Sequence, residues 1–410
     1  MFEITGKYGT AKVYATTVED ECMSQIYGFM NSPVVEGCNI AIMPDTHCGK
    51  GAAIGFTQKI NKENPRVNPN MVGVDIGCGM LVLKISAEAG KQLFNKPDLD
   101  KFDKIMHTKI PSGAGHRSTY HKFTKNIDIK QLIADADYDK ELYAMGSLGG
   151  GNHFVEIDKD ENGDYYIVIH SGSRHLGIVV AKYWENKAIA YHKNNSSAKN
   201  ELINRLKKEG REKDIQEEIA KLPPVIISKE LSYLEGEDLD GYLHDMKICQ
   251  EFARLNREAM LDILIEEMGI KKRHILGKFC TIHNYIDLEN GILRKGAISL
   301  QEGEEAIIPI NMEYGSLIVK GKGNPDWNFS GPHGAGRLMS RSKAKECLKM
   351  EDFKAAMKDI YTTCVSTSTI DESPMAYKSA DEILDNIKEN ADVISIIKPI
   401  YNFKSSDEEK

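Results

Sequence analysis

The stretch Val72–Met80, VGVDIGCGM, decides how the rest of the chain is read. It sets Asp75 and Cys78 three residues apart, among glycines at 73, 77 and 79. Glycine lacks a Cβ, so such a segment can turn tightly and let another group come close. A carboxylate and a thiolate on one turn can converge on a single cation. The plainer alternative is a glycine-rich strand–turn whose cysteine is a small core hydrophobe. Residues on either side bear on that choice.

The same layout, a polar turn between apolar strand-like runs, recurs along the chain. It precedes in NIAIMPDTHCGKGAAIGFT (39–57), whose turn holds Asp45, His47, Cys48 and Lys50. It follows in GSLGGGNHFVEI (146–157), YYIVIHSGSRHLG (165–177), FCTIHNYIDLENGILRKGAISL (279–300) and AIIPINMEYGSLIVKGKG (306–323). Between these β-like parts, residues from Val180 to about Gly269 are highly charged, with apolar positions every three or four residues in FARLNREAMLDILIEEM. That spacing predicts a helical insertion over about 180–270, with LPPVIISKELSYLEGEDLDGY (222–242) connecting its helices. The C-terminal part reads as helical, ending near PIYNFK (399–404), and SSDEEK has the composition of a disordered end. There is no repeat of fixed period and no Pro-, Gly- or Ser-rich linker. One composite α+β domain over 1–404 is expected, a mixed β-sheet core carrying the helical insertion, with 405–410 as a disordered tail.

With 410 residues, 41% hydrophobic and 28% charged, the chain has the composition of a globular protein with a substantial core. The eight cysteines are scattered without a CxxC pair, which suits thiols or ligands in a reducing cytoplasm. The first residues lack a basic segment followed by an apolar core, and no run approaches eighteen apolar residues, so neither a signal peptide nor a membrane span is expected. A formal charge of −8 argues against non-specific coating of nucleic acid but leaves room for a local basic groove. The loop HTKIPSGAGHRSTYHKFTK (107–125), with His107, His116, Arg117 and His121, is either a solvated surface or a phosphate-contacting flap.

His153, His170 and His283 each sit in a polar turn beside an apolar strand. Singly, each suits a hydrogen-bonded core histidine. With Asp75 and Cys78 they form a donor set of imidazole, thiolate and carboxylate suited to borderline divalent metals, assembled by the fold from distant parts of the chain. A second group is PHGAGRLMSRSKA, where His333 precedes Gly334 and Gly336, then Arg337, Arg341 and Lys343. Glycines let backbone N–H groups reach a phosphate, and a helix starting there would turn its positive end to an anion. Such a histidine can be a base, a ligand or a nucleophile toward phosphorus; a basic helix start on the surface is the alternative.

Taken together and in order, MPDTHCGKG, VGVDIGCGM, GGNHFVEI, HSGSRHLG, HNY, HGAGR, MSRSKA, DESPMAYK and a lysine near the C-terminus resemble the RtcB family. These are GTP- and manganese-dependent RNA ligases that join 3′-phosphate or 2′,3′-cyclic phosphate ends to 5′-hydroxyl ends. The resemblance implies two Mn²⁺ ions sharing the Cys78 thiolate, one completed by Asp75 and His153, the other by His170 and His283. It implies that His333 takes GMP from GTP, and that the GMP passes to the RNA 3′-phosphate before the 5′-hydroxyl displaces it. By the same resemblance, guanine-nucleotide contacts would fall on Asn152, His153, Phe154, Val155, Glu156, His283, Asn284, Pro309, Ile310, Asn311, Met312, Ser316, His333, Gly334, Ala335, Gly336 and Lys404. Arg174 and the loop near Arg117 become candidates for RNA phosphates, and an archease-like activating protein a candidate partner. The chain departs from the family pattern in IIPINMEYGS, where a GSMG run is usual, and at His175, where glycine is usual. These departures suggest a divergent branch, used in RNA repair or tRNA splicing. Competing readings are a binuclear metal-dependent phosphoesterase, an enzyme that only caps 3′-phosphate ends with GMP, and a non-catalytic binder of RNA ends.

Overall fold

The computed structural model describes residues 1–194, 197–220 and 227–405. Seven strands form one curled antiparallel sheet in the order Glu305–Asn311, Gly315–Gly321, Ala391–Lys404, Phe154–Lys159, Tyr165–Ser171, Gly79–Ile85 and Ile275–Ile282. A six-stranded sheet runs Phe2–Thr5, Thr10–Val13, Asn39–His47, Ile54–Lys59, Ile292–Lys295, Tyr285–Asp287, and its second and third strands pair in parallel. Ala297–Ser299 and Ser330–Pro332 pair separately. With the helices this is an α+β domain around a mixed β core.

Side chains alternate across a strand, and the seven-stranded sheet uses both faces. Leu81, Leu83, Val155, Ile157, Ile167 and Ile169 face outward, onto Phe102 and Met106 of the Lys96–Lys109 helix and Met260 and Leu264 of the Gly236–Met268 helix. Met80, Val82, Phe154, Tyr166 and Val168 face inward, where the curl brings Ile307, Ile318 and Ile397 against them. Each such side chain, once buried, contributes roughly 1.5–3 kcal/mol. The 33-residue helix Gly236–Met268 is buried through much of its length because it serves two cores. Its first half packs with Trp184, Leu176 and Val72, its last turns with the outer face of the sheet.

Helices Arg174–Asn194, Ser197–Lys208, Ile215–Ala220 and Gly236–Met268 account for the helical spacing read between the strands. Residues 221–226 of the connecting stretch and 406–410 of the acidic tail lie outside the described residues. Two expectations need correction. The C-terminal part holds short helices, Met350–Ala356 and Ala380–Asn386, but it ends in a 14-residue strand, Ala391–Lys404, which includes PIYNFK. Its run of Val393, Ile394, Ile396 and Ile397 is β-branched, which favours a pleated surface. The helix beside His333 begins only at Arg341, capped by the Ser340 side chain, so the glycines at 334 and 336 belong to a loop and not to a helix start.

All eight cysteines are free thiols. Among the described residues no helix is long and apolar enough to cross a membrane.

Candidate active site

Antiparallel order and a period of two explain why distant residues meet. Four neighbouring strands run alternately up and down, so the start of one lies beside the end of the next. Cys78 precedes Gly79–Ile85, His153 precedes Phe154–Lys159, His170 closes Tyr165–Ser171 and His283 follows Ile275–Ile282. All four therefore reach the same end of the sheet, where Met80 pairs with His170 and Phe154 with His170. Asp75 arrives on the turn before Cys78. That turn is tied to the next strand by His283 N–H donating to Cys78 O and Gly77 N–H donating to Asn284 O, each at 2.8 Å. Room for Asp75 comes from Gly172, where a Cβ would stand 1.9 Å from Asp75 Oδ1.

The donor atoms converge on sulfur. Cys78 Sγ lies 3.4 Å from His153 Nε2 and 3.3 Å from His170 Nε2. His170 Nε2 lies 3.4 Å from His283 Nε2, and His153 Nε2 lies 2.9 Å from Asp75 Oδ2. Two sets result, Asp75–Cys78–His153 and Cys78–His170–His283, sharing the one sulfur. Sulfur and nitrogen bound to one small divalent ion sit roughly 3.1–3.6 Å apart, which matches these spacings. His170 Nδ1 donates to Asn152 O at 3.1 Å, so Nε2 keeps its lone pair toward the cluster. Burial holds His170 and His283 well below the usual imidazole range, in the neutral form that ligates. Burial would raise the Asp75 carboxyl, but the bond to His153 and its charge pull it down to about 2. Burial and then the Asp75 carboxylate push the Cys78 thiol well above its usual range; a bound cation reverses that, since a coordinating thiol loses its proton. The donor set thus fits one or two divalent ions.

This cluster forms one end of a cavity of about 840 Å³. His333 stands beside it, its ring centre 4.8 Å from that of His283. Asp45, which is fully buried, accepts from His333 Nδ1 at 2.7 Å and from His333 N–H at 3.1 Å. The Nδ1 proton is thereby committed to the carboxylate, and Nε2 retains its lone pair. Gly336 makes this approach possible: a Cβ there would lie 2.2 Å from Asp45 O, and its φ of +77° suits glycine. Asp45 lies near the end of the Asn39–His47 strand, in a stretch read from the sequence as a polar turn, and its bond to a residue 288 positions away leaves no mark in the sequence. His47 also lines the cavity, and burial pushes its ring down to about 4.

Of the remaining expected nucleotide contacts, Asn152, Phe154, Glu156, Asn284, Pro309, Ile310, Asn311, Met312, Gly334, Ala335 and Lys404 line the cavity. His153 lies behind its wall, bonded into the cluster. Val155 faces the other way, into the outer core, and Ser316 is fully buried, its Oγ without a partner among the described residues. Lys404 Nζ donates to Glu372 Oε2 at 2.8 Å and stands over the Phe154 ring. Glu372 also pairs with Arg341 and Arg337 and accepts from Tyr377 OH at 2.6 Å. Burial would raise Glu372, but Lys404 and Arg341 pull it down to about 2. Burial raises Glu156, partly offset by Asn402 Nδ2, which donates to it at 2.6 Å, and by Lys404. The roles of Glu372 and Asn402 were not apparent beforehand, although Glu372 lies in the DESPMAYK run. Arg174 is buried and bonded to Ser147 Oγ and Gly113 O, and Arg117 donates to Lys109 O. His121 and Lys122 of the basic loop both pair with Asp262. Among the described residues, the lysines and arginines that line the cavity are Lys50, Arg337, Arg341, Lys343 and Lys404.

A thiol shared by two imidazole sets, beside a carboxylate-held histidine in a nucleotide-sized cavity, describes a candidate metal-dependent nucleotide-handling enzyme. Comparison with known proteins gives the family: the chain matches the tRNA-splicing ligase RtcB family over residues 25–136 and 128–405, and it belongs to that family. It is 30% identical to the RNA-splicing ligase RtcB of Escherichia coli K12, over 94% of this chain and 95% of that protein. It is 26% identical to the tRNA-splicing ligase RtcB of Aeropyrum pernix, over 83% and 82%, and 24% identical to that of Thermococcus kodakarensis, over 88% and 86%.

Proposed function

We propose that the protein is an RNA ligase that joins 3′-phosphate or 2′,3′-cyclic phosphate ends to 5′-hydroxyl ends, using GTP and a covalent GMP on His333. The observation that carries this reading is the 2.7 Å bond from His333 Nδ1 to buried Asp45, beside the Cys78-centred donor set. A phosphoesterase needs no such oriented histidine. Here His333 Nε2 attacks the α-phosphorus of GTP; a P–N bond forms and the P–O bond to pyrophosphate breaks. Asp45 holds the ring in the productive tautomer and offsets the positive charge that develops on it. Asp75, Cys78, His153, His170 and His283 would hold two Mn²⁺ ions, which when bound neutralise phosphate charge and align the reacting oxygens. The RNA 3′-phosphate then takes GMP from His333, giving an RNA–pp–G end, and the 5′-hydroxyl attacks the activated phosphate and releases GMP. A cyclic phosphate is first hydrolysed to the 3′-phosphate.

Glu156, on the cavity floor with one oxygen held by Asn402, is suited to accept from the guanine edge. Lys50 and Lys343 are the candidates for RNA phosphate contacts, in place of Arg174 and Arg117. The test is a ligation assay with one strand ending in a 3′-phosphate and another beginning with a 5′-hydroxyl, plus GTP and Mn²⁺. A joined product that needs both GTP and Mn²⁺ is expected. Removal of the 3′-phosphate without joining would favour the phosphoesterase, and accumulation of RNA–pp–G alone would favour capping.

A further inference from the structure

Under the cluster, the Gly236–Met268 helix presents two adjacent polar side chains, Asn256 and Arg257, both almost wholly buried. Asn256 Oδ1 accepts from Gly146 N–H at 2.7 Å and Ser147 N–H at 3.2 Å. Its Nδ2 lies 3.1 Å from each of Ser147 O, Ser171 Oγ and Gly172 O. Arg257 Nη1 donates to Ser171 O at 2.7 Å and Gly77 O at 2.9 Å. Each of these groups belongs to a segment that carries a donor of the cluster. Gly77 precedes Cys78, Ser171 follows His170, Gly172 lies against Asp75, and 146–147 open the loop that ends at His153. The fourth segment, with His283, is tied to the same Cys78 turn through its backbone.

The cost of placing these groups here is plain. Arg257 has no carboxylate partner among the described residues, and its Nε and Nη2 are buried without hydrogen bonds. A guanidinium keeps its proton, and burying one is unfavourable unless it is compensated. Neighbouring positions on the same helix, Phe252, Ala253 and Met260, are apolar and buried, so apolar side chains are accommodated here.

We propose that Asn256 and Arg257 are positioning residues of the metal cluster, fixing the backbone spacing of the three segments that carry Asp75, Cys78, His153 and His170. This rests on the reading of those donors as a metal site. Their hydrogen bonds set how closely sulfur and imidazole can approach one ion, and thereby its affinity.

The test is a Mn²⁺ titration of the full chain, free ion being followed by electron paramagnetic resonance, for the wild type, Arg257→Lys, Asn256→Asp and Met260→Ala. Met260→Ala opens a cavity under the same helix without removing a hydrogen bond to the three segments. Loss of support around ligands typically weakens metal binding about 10–100-fold, and that is expected for Arg257→Lys and Asn256→Asp. Met260→Ala should lower the unfolding temperature yet leave Mn²⁺ affinity within about twofold of wild type, since its effect is on packing. Wild-type affinity in folded Arg257→Lys and Asn256→Asp overturns the proposal while leaving the metal site standing. Equal weakening in Met260→Ala also overturns it, because general softening would then be the cause. A wild-type chain that binds no Mn²⁺ overturns both the site and the proposal. Asn256→Asp keeps the acceptor for the two amides and serves if Arg257→Lys does not fold.

Discussion

The two ends of the cavity bury ionisable groups in opposite ways. Around Glu372 the charges are closed: Lys404, Arg341, Arg337 and the Tyr377 hydroxyl surround one carboxylate and hold it ionised. Around Cys78 they are open. Three imidazoles and a carboxylate turn donor atoms toward one sulfur, and the charge of Arg174 also acts on Asp75. At the closed end the carboxylate meets opposite charges, whereas at the open end imidazole, thiol and carboxylate donors crowd together, an arrangement that suits a bound cation. His333, between them, draws its order from Asp45.

That contrast can be broken at several points. The largest effect is expected from Cys78→Ala, which removes the atom both donor sets share: metal analysis of the purified protein should find both ions lost, and two ions retained would contradict sharing. Next comes Asp45→Asn. An amide can pair with the wrong tautomer of His333, so formation of the GMP adduct should slow by about 10²–10⁴-fold at unchanged metal content. An unaltered single-turnover rate would remove Asp45 from the account.

At the closed end the effects are smaller. Lys404→Ala should weaken GTP binding about tenfold or more in a calorimetric titration, through loss of a charge at the pocket, and leave Mn²⁺ binding in place. Equal loss of both would mean that the two ends are not separate. Glu372 also links stability to pH. Its folded value of about 2 lies below the ordinary value of 4.5, so its contribution is fully present above pH 4.5 and is lost as pH falls toward 2. That contribution is on the order of 3 kcal/mol. Glu372→Gln should therefore lower the unfolding temperature at pH 7, with the gap to wild type shrinking at pH 3. A gap independent of pH would assign the loss to packing.

Much of the open end was legible in advance, for a physical reason. Metal-binding residue types placed where apolar strands meet polar turns, at 78, 153, 170 and 283, carry their chemistry locally, and a regular antiparallel sheet gathers such strand ends unaided. The closed end was harder to read. Glu372, Asn402 and the Asp45–His333 bond depend on contacts across tens to hundreds of positions, and nothing local distinguishes Asp45 from the other polar residues near it in sequence. Element type failed where local cues competed. The long strand Ala391–Lys404 contains charges and a proline that obscured its β-branched run, and SGPHGAGR offered glycines that suited either a loop or a helix start. Val155 shows the limit of matching contiguous motifs: alternation turns it away from a pocket that Phe154 and Glu156 line.

The central claim is that His333 Nε2 carries GMP. Incubation of the full chain with GTP and Mn²⁺, followed by mass spectrometry of its peptides under alkaline conditions, tests it directly. The account predicts one guanylyl group on the peptide containing His333, absent from His333→Ala and absent without Mn²⁺. A chain that joins RNA ends while that peptide stays unmodified, or that carries the nucleotide on another residue, would contradict it.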